Sequence, residues 1–156
     1  MKKLLISLTV LSLLPISGMA IAQEGPAPLD FGPRETLTIK SADKVHEFQV
    51  EVAYTREEQA RALMFRNVIE PEHGMLFEFG GNEIRSIWMK NTSVFLDVLF
   101  VREDGHILKI EHSAKPYSLR SMTSEAPVSA VLEIAGGQAN LLGIKPGDRI
   151  QHEFFK

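Results

Sequence analysis

Hydrophobic and polar positions alternate along much of this chain, with the period of two that marks strands half covered by a core. Phe48, Val50 and Val52 recur at every second position, so Val45 to Val52 reads as one strand following a polar turn at Ser41-Ala42-Asp43. Thr36 to Ile39 forms a shorter strand before that turn. Met75 to Phe79, Ile84 to Lys90, Phe95 to Arg102, Ile107 to His112, Val128 to Ile134 and Arg149 to Phe154 continue in the same style. Val94 to Val101 is apolar on both sides except at Asp97, which predicts a central strand covered on both faces. Asp104-Gly105 suits a tight hairpin before the next strand, because glycine accepts positive φ without steric cost.

Helical period appears once with a clear start. Thr55 and Glu58 stand at capping-box spacing, and Ala60, Leu63 and Met64 fall on one face, so a helix is expected over Thr55 to Phe65. Gly137 to Leu142 is a helical turn at most, and Ser113 to Ala126 is a polar loop too long for a simple turn. Short strands dominate and helices do not separate them. The expectation is a single mainly β domain over 35–156, either a jelly-roll-like β-sandwich or a partly closed barrel, with one short helix.

The residues before that domain follow different rules. Lys2 and Lys3 precede an almost wholly apolar run, Leu4 to Ile16, and Ala20-Ile21-Ala22 supplies small-x-small cleavage chemistry. This is the pattern of a signal peptide over 1–22, cut after Ala22 or after Ala20. The apolar run is shorter than the roughly 20 residues of a membrane span. Export to the periplasm or out of the cell is therefore expected, with no membrane span after cleavage. Residues 23–34 carry three prolines and two glycines and read as a flexible tether.

Composition narrows the chemistry. Of the 156 residues, 44% are hydrophobic and 24% charged, the balance of a chain that folds around a core. The absence of cysteine removes disulfides, thiolate metal sites and cysteine nucleophiles. Loss of Lys2 and Lys3 with the signal leaves 15 basic against 20 acidic residues, a net charge of −5. No basic stripe remains to follow a phosphate backbone, so nucleic acid is not an expected partner. His46, His73, His106, His112 and His152 never stand at metal-ligand spacing, and neither a phosphate loop nor a nucleophile elbow occurs, so no cofactor is implied.

The most unusual chemistry lies between Ile84 and Asp97. Strict alternation puts Trp88, the only tryptophan, on one face with Lys90, and Ile87 and Met89 on the other. A four-residue hairpin loop over 91–94 would set Lys90 opposite Phe95 and Trp88 opposite Asp97. Trp88, Lys90, Phe95 and Asp97, rimmed by Asn91 and Thr92, would then form a ligand-binding patch with an apolar platform and converging polar groups. The competing reading is a core tryptophan capped by a paired Lys90 and Asp97. Glu133 adds a second carboxylate embedded in apolar strand sequence, where an ionised group is costly unless paired. Facing one cavity, Asp97 and Glu133 could act as a glycosidase-type pair. Unpaired in that sense, Asp97 would instead neutralise Lys90 or Arg66, and Glu133 would hold a loop backbone.

Several short runs then come together. Gly74-Met75-Leu76-Phe77, Trp88-Met89-Lys90-Asn91-Thr92, Leu96-Asp97, Val131-Leu132-Glu133 and Gly147-Asp148, with Leu63-Met64-Phe65-Arg66 and Ser124 three residues before Pro127, resemble the bacterial and archaeal family known only as domain of unknown function 192. The resemblance runs from about Glu35 to His152. It implies an all-β, jelly-roll-like domain that is often exported, with no established activity. The chain departs from the family pattern at Ala62, Ile87 and Phe95, where glycine, phenylalanine and proline are usual. Three functions stay open at this point. They are a non-catalytic domain binding an envelope sugar or polar small molecule through Trp88, Lys90, Asn91, Thr92, Asp97 and Glu133; a hydrolase of envelope carbohydrate; and a protein-interaction or assembly module.

Overall fold

The computed structural model describes residues 26–155. The expected signal peptide and the start of the tether lie outside them. Nine strands and two short helices follow in order: β1 (Glu35–Ser41), β2 (Lys44–Ala53), α1 (Arg56–Arg61), β3 (His73–Glu83), β4 (Ser86–Ile87), β5 (Leu96–Val101), β6 (Ile107–Ala114), β7 (Met122–Thr123), β8 (Val128–Ala135), α2 (Gln138–Leu142) and β9 (Arg149–Gln151). Seven strands form one sheet in the order β6-β5-β8-β3-β2-β1-β9, and β4 pairs with β7 in a separate two-stranded ribbon. All neighbours in the large sheet are antiparallel except β2 and β3, which run parallel and are joined through α1.

The sheet curls until its two edges meet at one end. His106 bridges Arg149, the Ile107 N–H donates to the Asp148 carbonyl at 2.9 Å, and the Ile150 N–H donates to the Gly105 carbonyl at 2.8 Å. Of the two expected architectures, this is the partly closed barrel. Gly105 sits at φ +82, and a Cβ there would come within 2.5 Å of the Ile150 carbonyl oxygen. The Asp104-Gly105 turn thus requires glycine twice over, for its backbone and for the close approach that joins the edges.

Alternation sorts the apolar residues into two layers. Inside the curl, Leu37, Ile39, Phe48, Val50, Leu76, Leu99, Leu132, Ile134 and Ile150 are fully buried. On the outer side of β3, β8 and β5, Met75, Phe77, Leu96, Val98, Phe100 and Val131 form a second cluster, covered by Leu63, Met89 and Met122. Every residue of β5 is buried. The nearly continuous apolar runs of β5 and β8 have this cause: the central strands are covered on both faces.

The helix is capped as its sequence predicts. Glu58 N–H donates to the Thr55 hydroxyl at 3.2 Å, while Glu58 accepts from the Thr55 N–H at 2.8 Å. The Thr55 N–H, joined by the Tyr54 N–H at 2.9 Å, holds the Glu58 carboxyl below the ordinary range. The helix stops at Arg61, four residues before the expected end. Ala62 takes φ +40 and ψ −128, and Phe65, at φ +63, donates its N–H to the Asn91 carbonyl at 2.9 Å. A tertiary partner for the backbone has replaced the next helical turn. Because alanine is strained at that φ, Ala62→Gly should raise unfolding stability by about 0.5–1 kcal/mol, after loss of the methyl contact and added chain entropy. A urea midpoint unchanged or lowered would refute the strain.

The proline-rich segment before β1 carries no helix or strand over 26–34. It makes contacts nonetheless: Arg61 donates to the Ala27 carbonyl at 2.8 Å, and Phe31 packs on the outer cluster beneath the Arg66 guanidinium.

Candidate functional site

The hairpin expected to join Trp88 to Asp97 does not form. β4 ends at Ile87 and pairs with β7, with Ser86 opposite Thr123 and Ile87 opposite Met122. β5 pairs instead with β8, where Asp97 lies opposite Ile134, and with β6. The run 88–94 is a loop. Its backbone bonds to other segments: Met89 N–H donates to the Ser118 carbonyl at 2.9 Å, and Tyr117 N–H to the Thr92 carbonyl at 3.0 Å.

The six candidate residues consequently separate. Asp97 lies on the inner face of the sheet, fully buried, and accepts three backbone N–H groups, from Ser113 at 2.7 Å, Gly137 at 3.0 Å and Ala139 at 2.8 Å. It pairs with neither Lys90 nor Arg66; Arg66 binds Glu51 at 2.6 Å. Asp97 therefore anchors the 113 corner and the start of α2. Asn91 takes φ +56 and sets its amide 3.8 Å from the Met64 sulfur, a turn residue. Lys90 is exposed, with its Nζ 5.2 Å from the centre of the Trp88 ring. Trp88 is 50% exposed, so it is no core tryptophan.

Trp88, Thr92 and Glu133 come together across the outer face. They line a pocket of about 240 Å³ whose walls also include Leu63, Met64, Phe77, Phe79 and Ile87. Gln59 and Ser86 add polar edges. Glu133 sits on β8 between Met75 of β3 and Val98 of β5. Only 3% of it is exposed, and its carboxyl has no hydrogen-bond partner among the described residues. Desolvation alone pushes this carboxyl up to about 8, so it is mostly protonated at neutral pH. The backbone role expected for Glu133 is absent. Since Glu133 and Asp97 lie on opposite faces of one sheet, they cannot act on one bond, and the paired-carboxylate hydrolase falls.

Gln59, Phe77, Phe79, Ser86 and Ile87 escaped the sequence reading as pocket residues. Each looks like an ordinary strand or helix position, and only the fold of α1 and the 86–92 run over β3 and β8 gathers them. Met64 also lines the pocket, whereas Met75 and Met89 are buried in the outer cluster.

A second ionisable cluster lies at the far ends of β1 to β3. Tyr54 donates its hydroxyl to Glu35 at 2.8 Å, and His152 places Nε2 3.1 Å from Glu35 and Nδ1 3.8 Å from Glu78. Burial, then the neighbouring Glu35 and Glu153 charges, push Glu78 up to about 7; burial and Glu35 push Tyr54 up to about 12. None of these groups lines the pocket. Among the described residues no group of three or more metal-ligating side chains assembles, and no helix is long and apolar enough to cross a membrane.

Fold and site define a curled, mostly β domain with a lone acid buried at the base of an aromatic-walled pocket. The chain belongs to the DUF192 family, described as an uncharacterized ACR, whose model matches residues 37–152. Two solved structures are similar. One is a Sinorhizobium meliloti 1021 protein provisionally described as a transcription regulator, 39% identical over 76% of this chain and 92% of that one, with a TM-score of 0.74. The other is a protein of unknown function from Novosphingobium aromaticivorans DSM 12444, 39% identical over 76% of this chain and 85% of its own, again with a TM-score of 0.74. No curated protein matches the chain.

Proposed function

We propose that this protein is an exported, non-catalytic domain that binds a small organic molecule in the Trp88–Glu133 pocket. One observation carries the reading. A buried carboxyl with no partner among the described residues opens onto a cavity, whereas buried polar groups in folded proteins are almost always satisfied. The occupant supplies what the protein withholds. An apolar cavity of about 150 Å³ admits benzene, so this pocket is large enough for a single ring with a short substituent. Its apolar walls suit such a body better than an oligosaccharide, which needs polar partners around its whole rim. The half-exposed Trp88 would close over the ligand, with Thr92 and Gln59 at its edges.

Export rests on the residues of the signal sequence, and the acidic balance of the chain weighs against a nucleic-acid partner. Trp88→Ala should leave stability within about 1 kcal/mol, since a half-exposed ring contributes little to the core, and should lower affinity at least tenfold. Emission from the sole tryptophan during titration with a panel of small aromatic and alicyclic molecules finds the ligand, and calorimetry measures the variant. A blue-shifted, unresponsive emission, or a loss of stability typical of a core tryptophan, would sink the proposal.

A further inference from the structure

We infer that the pocket selects a primary amine attached to a small apolar body, the ammonium group seated against Glu133. The inference rests on the binding role proposed above and names its ligand class. Among the described residues the carboxyl receives no hydrogen bond and no ion pair, and the walls around it are mostly aromatic and aliphatic. An ionised carboxylate only accepts, so the occupant must donate. Of the donors available, an ammonium offers three N–H groups and the opposite charge, which offsets the desolvation that favours the protonated carboxyl. Aromatic faces add to this. Phe77, Phe79 and Trp88 line the cavity, and their ring quadrupoles attract cations. Arg85 already lies 4.5 Å from the centre of the Phe79 ring.

Among the described residues Glu133 is the one ionisable side chain in the pocket lining, and the Arg85 guanidinium stands behind the Phe79 wall. From α1, Glu58 caps its own helix and Arg61 turns to the Ala27 carbonyl and the Phe65 ring. On β3, Glu78 faces His152, and on β5, Asp97 faces the inner layer. From the 84–92 run, Arg85 pairs with Glu83 at 3.3 Å and Lys90 lies outside the lining, over Trp88. On β6, Lys109 and Glu111 bind each other at 3.1 Å. Binding an amine must therefore displace a proton from Glu133 itself, and affinity is linked to pH through that group alone.

The test compares phenethylamine with 2-phenylethanol, which has the same shape without the charge, by calorimetry on the full chain between pH 6 and 9. Phenethylamine affinity should rise about tenfold per pH unit up to about 8 and then level off while the amine stays protonated. The alcohol should bind more weakly at pH 8.5 and gain nothing with pH. Glu133→Gln should remove the preference for the amine and its pH dependence while the alcohol still binds. Alcohol binding equal to amine binding at every pH would overturn the amine inference and leave the pocket reading standing. Failure of both compounds and of the wider panel to perturb Trp88 would overturn the two together.

Discussion

Replacing Asp97 with alanine should lower the unfolding free energy by about 3–5 kcal/mol, a large share of the 5–15 kcal/mol typical of a folded domain. The two carboxylate oxygens take N–H groups from Ser113 near the end of β6 and from Gly137 and Ala139 at the start of α2. Charge-assisted bonds of this kind are worth more than neutral ones, and removal leaves donors behind. Ser113 and Gly137 are partly accessible and can turn to water; the Ala139 N–H is buried and cannot. Asp97→Asn should cost less, since one oxygen remains, but its amide must then face a donor. Urea unfolding measures both variants, and hydrogen exchange at Ala139 should accelerate beyond the global loss. A cost under about 1.5 kcal/mol would show that Asp97 is not the anchor of α2.

Glu133→Gln should have the opposite sign, and only above about pH 4.5. In the folded protein the Glu133 carboxyl is raised from 4.5 to about 8. Below pH 4.5 both states hold the proton, and the group leaves stability unchanged. As pH rises through 4.5 the unfolded chain releases its proton while the folded one keeps it, so stability falls until about pH 8 and then stays low. At 1.36 kcal/mol per pH unit between 4.5 and about 8, the penalty at pH 9 reaches about 5 kcal/mol. The glutamine variant, uncharged throughout, should match the parent at pH 3.5 and exceed it by about that amount at pH 9. Thermal melts across this range check it. Glu78, raised to about 7, adds a weaker slope of the same sign that the variant retains. Parallel curves for parent and variant would mean that Glu133 finds a partner when it ionises. A bound amine at high pH should shrink the difference, which connects this prediction to the ligand inference.

Local patterns carried much of the fold. The period of two in Phe48, Val50 and Val52, the capping box at Thr55 and Glu58, and the turn at Asp104-Gly105 depend on residues within a few positions of one another. Such features follow from backbone geometry and need no distant partner. The doubly apolar run of β5 also announced a central strand, because only burial on both faces tolerates it. The helix end was misplaced for a complementary reason. Ala60, Leu63 and Met64 keep helical spacing, yet the Phe65 N–H bonds to Asn91, a partner outside any helical window.

The site was legible in part. Trp88, Thr92 and Glu133 do share one pocket, although the hairpin invoked to gather Trp88, Lys90 and Asp97 does not exist. Strand pairing is decided by which segments meet, and β5 found β8, about thirty to forty positions along the chain, in place of the preceding β4. A change of partner also decides which face a residue occupies. Asp97 and Glu133 look alike as single acids in apolar strands, and nothing in their flanking residues tells them apart.

By itself, the sequence determined the strand-rich class, the family, the one capped helix and the unusual residues around Trp88, since periodicity and composition are local properties. Only the tertiary structure decided that the sheet curls shut at Gly105, that Asp97 turns inward to three backbone donors, and that Glu133 turns outward to none. The physical reason is that the energy of a buried carboxyl depends on the groups within hydrogen-bond reach. Those groups come from segments that the chain brings together only when it folds.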